Sequence, residues 1–85
     1  MVCVLAFGLQ LLLIVEIQKR IGAKIAKIRK QRGLTQEDLA DLAAIHPDYM
    51  GKIERGERSP SLVRFLRILD ALKFNYGEFF QDFEA

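Results

Sequence analysis

Eighty-five residues, 51% of them hydrophobic and 28% charged, are enough for one domain with a modest core and exclude a disordered chain. The net charge of +2 is small but unevenly placed. From Lys19 to Gln36 there are seven basic residues and no acids, and from Phe74 to Ala85 three acids and no base, so one surface suits phosphate and another something else. The single Cys3 excludes an internal disulfide and a cysteine-based zinc site, and fits a reducing cytoplasm.

Met1 to Val15 is apolar apart from Gly8 and Gln10, and no helical or alternating period spares a face for water. Left solvated, it would be an aggregation liability. It can pack in a dimer or along the domain, or anchor the chain in a membrane. It can be a signal peptide, or come from an upstream start without a selected role. The membrane reading is not favoured, because the run is shorter than the ~20 residues a spanning helix needs. A signal peptide lacks its basic leader here.

Ile17 to Arg32 reads as helix 1. Ile21, Ile25 and Ile28 face the core, Lys19, Lys24, Lys27 and Lys30 point elsewhere, and Gly33 ends it. Thr35 then caps helix 2, with Asp38 answering its backbone N–H, and Leu39, Leu42 and Ala43 share one face. A tight turn at Ala44-Ile45-His46 leads to helix 3, from Pro47 to Arg55. Pro47 has no N–H to lose there, Asp48 suits the positive end, and Gly56 can close the helix in the left-handed conformation. Tyr49, Met50 and Ile53 form its buried stripe.

The opposite face of helix 3 carries Pro47, Asp48, Gly51, Lys52 and Arg55, with nothing apolar except the proline ring. A packing helix would not need that face so clear. A helix in the DNA major groove would, because donors must reach base edges while the opposite stripe anchors it. Lys52 is the best candidate for guanine O6 or N7. Asp48 could accept from a cytosine amino group or simply serve the helix dipole. Gly51 allows close backbone approach or is a tolerated surface glycine. Tyr49, Arg55 and Arg58 are candidates for phosphate contacts, although Tyr49 equally suits the core.

Glu57-Arg58-Ser59-Pro60 is a loop. Ser61 caps helix 4, whose apolar side is Leu62, Phe65, Leu66, Ile68, Leu69 and Leu72. Asn75 caps helix 5. Phe79, Phe80 and Phe83 exceed what that short helix can hide, so one or two should meet a partner, with Phe80 and Phe83 at the centre of a two-fold dimer. The expected fold is all-α. Residues 1–18 form an apolar N-terminal extension, separate or lengthening helix 1, and residues 19–85 a five-helix domain.

Gly33-Leu34-Thr35-Gln36-Glu37-Asp38-Leu39-Ala40, Ile53-Glu54-Arg55-Gly56, Arg58-Ser59-Pro60-Ser61-Leu62, Ala71-Leu72 and Glu78-Phe79-Phe80 occur in an order and spacing that resemble the phage-repressor-like (XRE, or Cro/cI-type) helix-turn-helix family. The match covers roughly Ile21 to Phe83. The resemblance implies a lambda-repressor-like domain in which Ala40 lies at a close helix crossing and Gln36 holds a phosphate. It further implies that the exposed positions Pro47, Asp48, Gly51 and Lys52 read bases, and that Arg29 pairs with Glu54. The family's turn glycine is Ala44 here, its Ser/Thr cap is His46, and its helix-4 terminal glycine is Lys73. Small stand-alone members such as restriction–modification controller proteins are similar, as are phage regulators and antitoxins.

The expected function is a sequence-specific transcriptional regulator, a cytoplasmic homodimer on a palindromic double-stranded operator. The alternative is an interaction or membrane-tethered module of the same fold that does not use its groove-reading face. No enzyme is expected, and no metal or cofactor, because no nucleophile–base pair, ligand cluster or phosphate loop is present.

Overall fold

A computed structural model describes residues 2–81, with side chains from residue 11 onward. Five helices follow one another: α1 (Val2–Gln31), α2 (Gln36–Leu42), α3 (Pro47–Glu54), α4 (Leu62–Leu72) and α5 (Tyr76–Phe79). Among the described residues there is no strand.

α1 takes the longer of the two forms the sequence allows. It runs unbroken through Ile17, where the sequence places the start of helix 1. The added length consists mainly of Leu, Ile, Val and Ala, which tolerate a helix, and no proline interrupts it. Leu11, Leu12, Leu13, Ile14, Val15 and Ile17 are exposed on this segment, from 43% at Val15 to 68% at Leu12. Among the described residues no helix is long and apolar enough to cross a membrane.

The core lies where the C-terminal half of α1 meets the other helices. Ile25 and Ile28 of α1, Leu39 and Ala40 of α2, Met50 and Ile53 of α3, and Phe65, Ile68, Leu69 and Leu72 of α4 are buried, and Phe79 of α5 closes the bottom. Ile21 packs at its edge. Burying a side chain of this size contributes about 1.5–3 kcal/mol, so this cluster is the main source of stability. Phe79 sits edge-on to Phe65, with ring centres 5.1 Å apart. Leu62 departs from the expectation. It is 71% exposed, and its neighbour Val63 is 66% exposed, because the first turn of α4 runs out beyond the core.

Four helices end in the same way. In each, a residue at or just after the cap is left-handed, and two backbone N–H groups turn back to the last free carbonyls, as in a Schellman motif. The left-handed positions are Gly33 (φ 71°), Ala44 (φ 56°), Gly56 (φ 77°) and Lys73 (φ 54°). After α2 the bonds run from Ile45 N–H to the Ala40 carbonyl (2.8 Å) and from Ala44 N–H to the Asp41 carbonyl (3.2 Å). The turn between α2 and α3 thus keeps a glycine-type backbone with an alanine in it, at about 1–2 kcal/mol of strain.

Two glycines set the crossing of α1 with α3. A Cβ on Gly22 would collide with the backbone carbonyl oxygens of Ile53 and Glu54, and one on Gly56 would stand 2.7 Å from the Lys19 Cα. The absence of these two side chains lets α3 lie backbone to backbone on α1.

Candidate nucleic-acid interface

The helix pair is built from its caps inward. The Thr35 hydroxyl accepts from the Asp38 N–H, and the Asp38 carboxylate accepts from the Thr35 N–H, both at 3.0 Å. Those bonds hold the Asp38 carboxyl below the usual carboxylate range. α3 is capped by His46, whose Nδ1 accepts from the Asp48 N–H at 3.1 Å, with Pro47 as its first residue. An imidazole therefore does the work of the hydroxyl that the family resemblance implies.

Met50 and Ile53 anchor α3 in the core at 0% and 1% exposure, while Pro47, Asp48, Lys52 and Arg55 on the other face are exposed. With Gln36 from α2 and Gly51 they line one shallow groove. Gly51 is buried beneath side chains rather than open to solvent. A Cβ there would lie 3.0 Å from an Arg55 Nη1 and 3.4 Å from the Gln36 Oε1.

Beneath the groove, Arg29 and Glu54 are joined by two bonds, Nε to Oε2 at 2.8 Å and Nη2 to Oε1 at 3.1 Å. The Arg29 Nη1 also donates to the Leu34 carbonyl at 2.8 Å. Gln36 donates its Nε2 to Glu54 Oε1 at 2.9 Å, so one carboxylate ties α1 and α2 to α3. Gln36 keeps one amide N–H for a further acceptor.

Around the rim, Tyr49 is half-buried and donates its hydroxyl to the Ser59 carbonyl at 3.2 Å, with Arg64 stacked over its ring. Arg58 is exposed in the loop after α3. Arg55 is held by Glu57 through a fork, Nε to Oε1 at 3.2 Å and Nη2 to Oε2 at 3.1 Å. The guanidinium draws the Glu57 carboxyl below its ordinary range.

The basic run of α1 divides. Lys24 donates to the Phe79 carbonyl at the end of α5, Arg32 donates its Nε to the Leu72 carbonyl at 3.0 Å, and Arg29 is the partner of Glu54. These three hold helices together, because carbonyls at helix C-termini and a buried carboxylate lie within their reach. Phosphate is thus not the common partner of that run.

Phe80 is 45% exposed, and its inner edge touches Phe65 and Phe79 with ring centres 5.6 and 5.2 Å apart. Phe83 lies outside the described residues. Leu62, which the helical period places on the apolar side of α4, sits one turn before Phe65 and instead adds apolar surface on the exposed start of the helix. Sequence reasoning passed over Gly22 and the pairing of Glu57. Among the described residues no three His, Cys, Asp or Glu side chains converge on a potential metal site.

A capped helix followed by a glycine-type turn and a second helix, anchored by one stripe and free on the other, defines a helix-turn-helix domain. The helix-turn-helix family model matches residues 25–79, and the chain belongs to that family. It is a DNA-binding transcriptional regulator of that kind. It is 38% identical over 58 residues to the HTH-type transcriptional regulator YqaF of Bacillus subtilis, covering 68% of this chain and 76% of that one. The control protein C.SmaI of Serratia marcescens is 30% identical over 57 residues, covering 67% and 68%. The restriction–modification controller C.AhdI of Aeromonas hydrophila superposes with a TM-score of 0.73 at 35% identity, over 76% of this chain and 98% of that one. The controller C.Esp1396I, solved as a tetramer with its natural 35 base-pair operator, superposes at 0.70 with 31% identity, over 75% and 84%.

Proposed function

We propose that this regulator acts as a cytoplasmic homodimer that inserts the helix from Pro47 to Arg55 into the major groove of a palindromic operator. The observation that carries this reading is the groove itself. Pro47, Asp48, Gly51, Lys52 and Arg55 converge with Gln36 on one polar surface, directly opposite the buried Met50 and Ile53.

Within that reading Lys52 donates to guanine, and Asp48 accepts from a cytosine amino group. Pro47 and Gly51 contribute shape, since neither side chain can donate. Gln36 offers its remaining amide N–H to a phosphate, and Arg55 and Arg58 supply charge at the same backbone. Tyr49 stacks under Arg64 and supports the loop that carries Arg58. Arg29 and Glu54 keep the two helices in register. Phe80 and Phe83 form the centre of the dimer, with Met1–Val15 adding apolar contact. The operator-bound assembly of C.Esp1396I supports an oligomer on an extended site.

Selection of bound duplexes from random DNA tests this directly. The expected product is a palindrome with half-sites about one helical turn, ~34 Å, apart. Recovery of no preferred sequence would contradict it.

A further inference from the structure

Beside the groove, bonded to the Arg55 that lines it, stands a carboxylate that a DNA-binding surface does not require. Glu57 lies immediately after the left-handed Gly56, and its backbone N–H is bonded to the Lys52 carbonyl at 2.9 Å as part of the helix-ending motif. Its backbone position is therefore fixed beside the C-terminus of α3. From there its two oxygens meet the Nε and Nη2 of Arg55, and Lys52 adds to the positive field around it. Two parallel oxygens on that edge of a guanidinium are also what a phosphate presents. Arg55 Nε carries one hydrogen, and Glu57 takes it, so Glu57 and a phosphate cannot hold this edge together.

Resting on the proposed DNA-binding role, we infer that Glu57 is a built-in competitor for the DNA backbone. It occupies Arg55 in the free protein and gives it up when a phosphate arrives. The pair suits an exchange of this kind. Its side chains are 57% and 54% exposed, so water and a phosphate can reach both. Exposed pairs of this sort are weak, and replacing one is not a large barrier. Glu57 thereby sets how tightly Arg55 grips any DNA. It restrains nonspecific binding and leaves base choice to Lys52 and Asp48.

The test measures Glu57→Gln, Arg55→Ala and the double variant across a salt series. The probes are a random-sequence duplex and the duplex enriched by selection, with melting curves confirming that each protein is folded. Glu57→Gln should bind both duplexes about two- to fivefold more tightly at low salt, and the gain should shrink as salt screens the pair. In the Arg55→Ala background the gain should disappear. An equal gain in that background would reduce the effect to general charge and overturn the proposal. No gain, or a loss confined to the enriched duplex, would also overturn it, the latter by showing that Glu57 steadies Arg55 on a base. If the wild type binds neither duplex, the DNA-binding reading falls too. If it binds and Glu57→Gln changes nothing, only the competitor falls.

Discussion

Arg29 of α1 and Glu54 of α3 are joined side by side by two hydrogen bonds of 2.8 and 3.1 Å, with side chains only 11% and 4% exposed. A buried pair of this kind need not stabilise the fold more than apolar residues would, but breaking it by removing one partner is costly. Arg29→Ala would leave Glu54 with only the Gln36 amide. It should lower stability by about 3–5 kcal/mol and weaken DNA binding in parallel, because α3 loses its tie to α1. Chemical denaturation checks it. An unchanged midpoint and slope would mean the pair holds nothing in place.

Ala44 and Lys73 occupy left-handed positions where glycine carries no Cβ penalty. Glycine at either site relieves about 1–2 kcal/mol of strain and gives part of it back through the freer unfolded chain. Ala44→Gly and Lys73→Gly should each raise stability by up to about 1 kcal/mol, or a few degrees in Tm. A fall in Tm for both would mean that these turns are not strained in solution.

The caps and turns were legible in the sequence because a cap is local chemistry. Thr35, Ser61 and Asn75 each accept from the N–H three residues on, and Gly33 and Gly56 stand where a chain must turn left-handed. The isoleucines of α1 were legible through their spacing. Leu62 was misplaced because a helical period predicts a face and not where along the helix the core ends. The choice between a separate N-terminal segment and a longer α1 stayed open because an apolar run without a period fits helix and strand alike. The roles of Lys24 and Arg32 depend on carbonyls forty or more residues away, which charge counting along a chain cannot detect. Glu57 lies in the loop as its sequence context indicates, but its pairing with Arg55 is not legible there, because an arginine on that face points to DNA as readily as to a neighbour two residues on.

Gly22 was invisible for a related reason, since a glycine inside a helix reads only as a weak point. Its place against the carbonyls of Ile53 and Glu54 makes Gly22→Ala an overpacking change against backbone, which cannot swing away. We expect a loss of about 1–3 kcal/mol despite the better helix propensity of alanine. Thermal melts report it, and a gain in Tm would show that α3 stands further from α1 than described.

Phe80 offers the sharpest access to the dimer. It is partly covered by Phe65 and Phe79, yet 45% exposed at the end of α5. Phe80→Asp would place a charge in the proposed contact and should shift the wild-type dimer to monomer in sedimentation, with weaker and less specific DNA binding. A wild type that is already monomeric at tens of micromolar would contradict the contact.

The polar face of α3 is proposed to read bases. Lys52 is exposed on that face, beside Gly51 and Arg55 in the groove. The most direct measurement is the affinity of Lys52→Ala for the selected duplex, for its single base-pair variants and for a scrambled duplex. A base contact predicts a loss of about 1–3 kcal/mol on the selected duplex, relaxed discrimination at one position of each half-site, and little change on the scrambled one. Equal weakening on every duplex, or none on any, would contradict it.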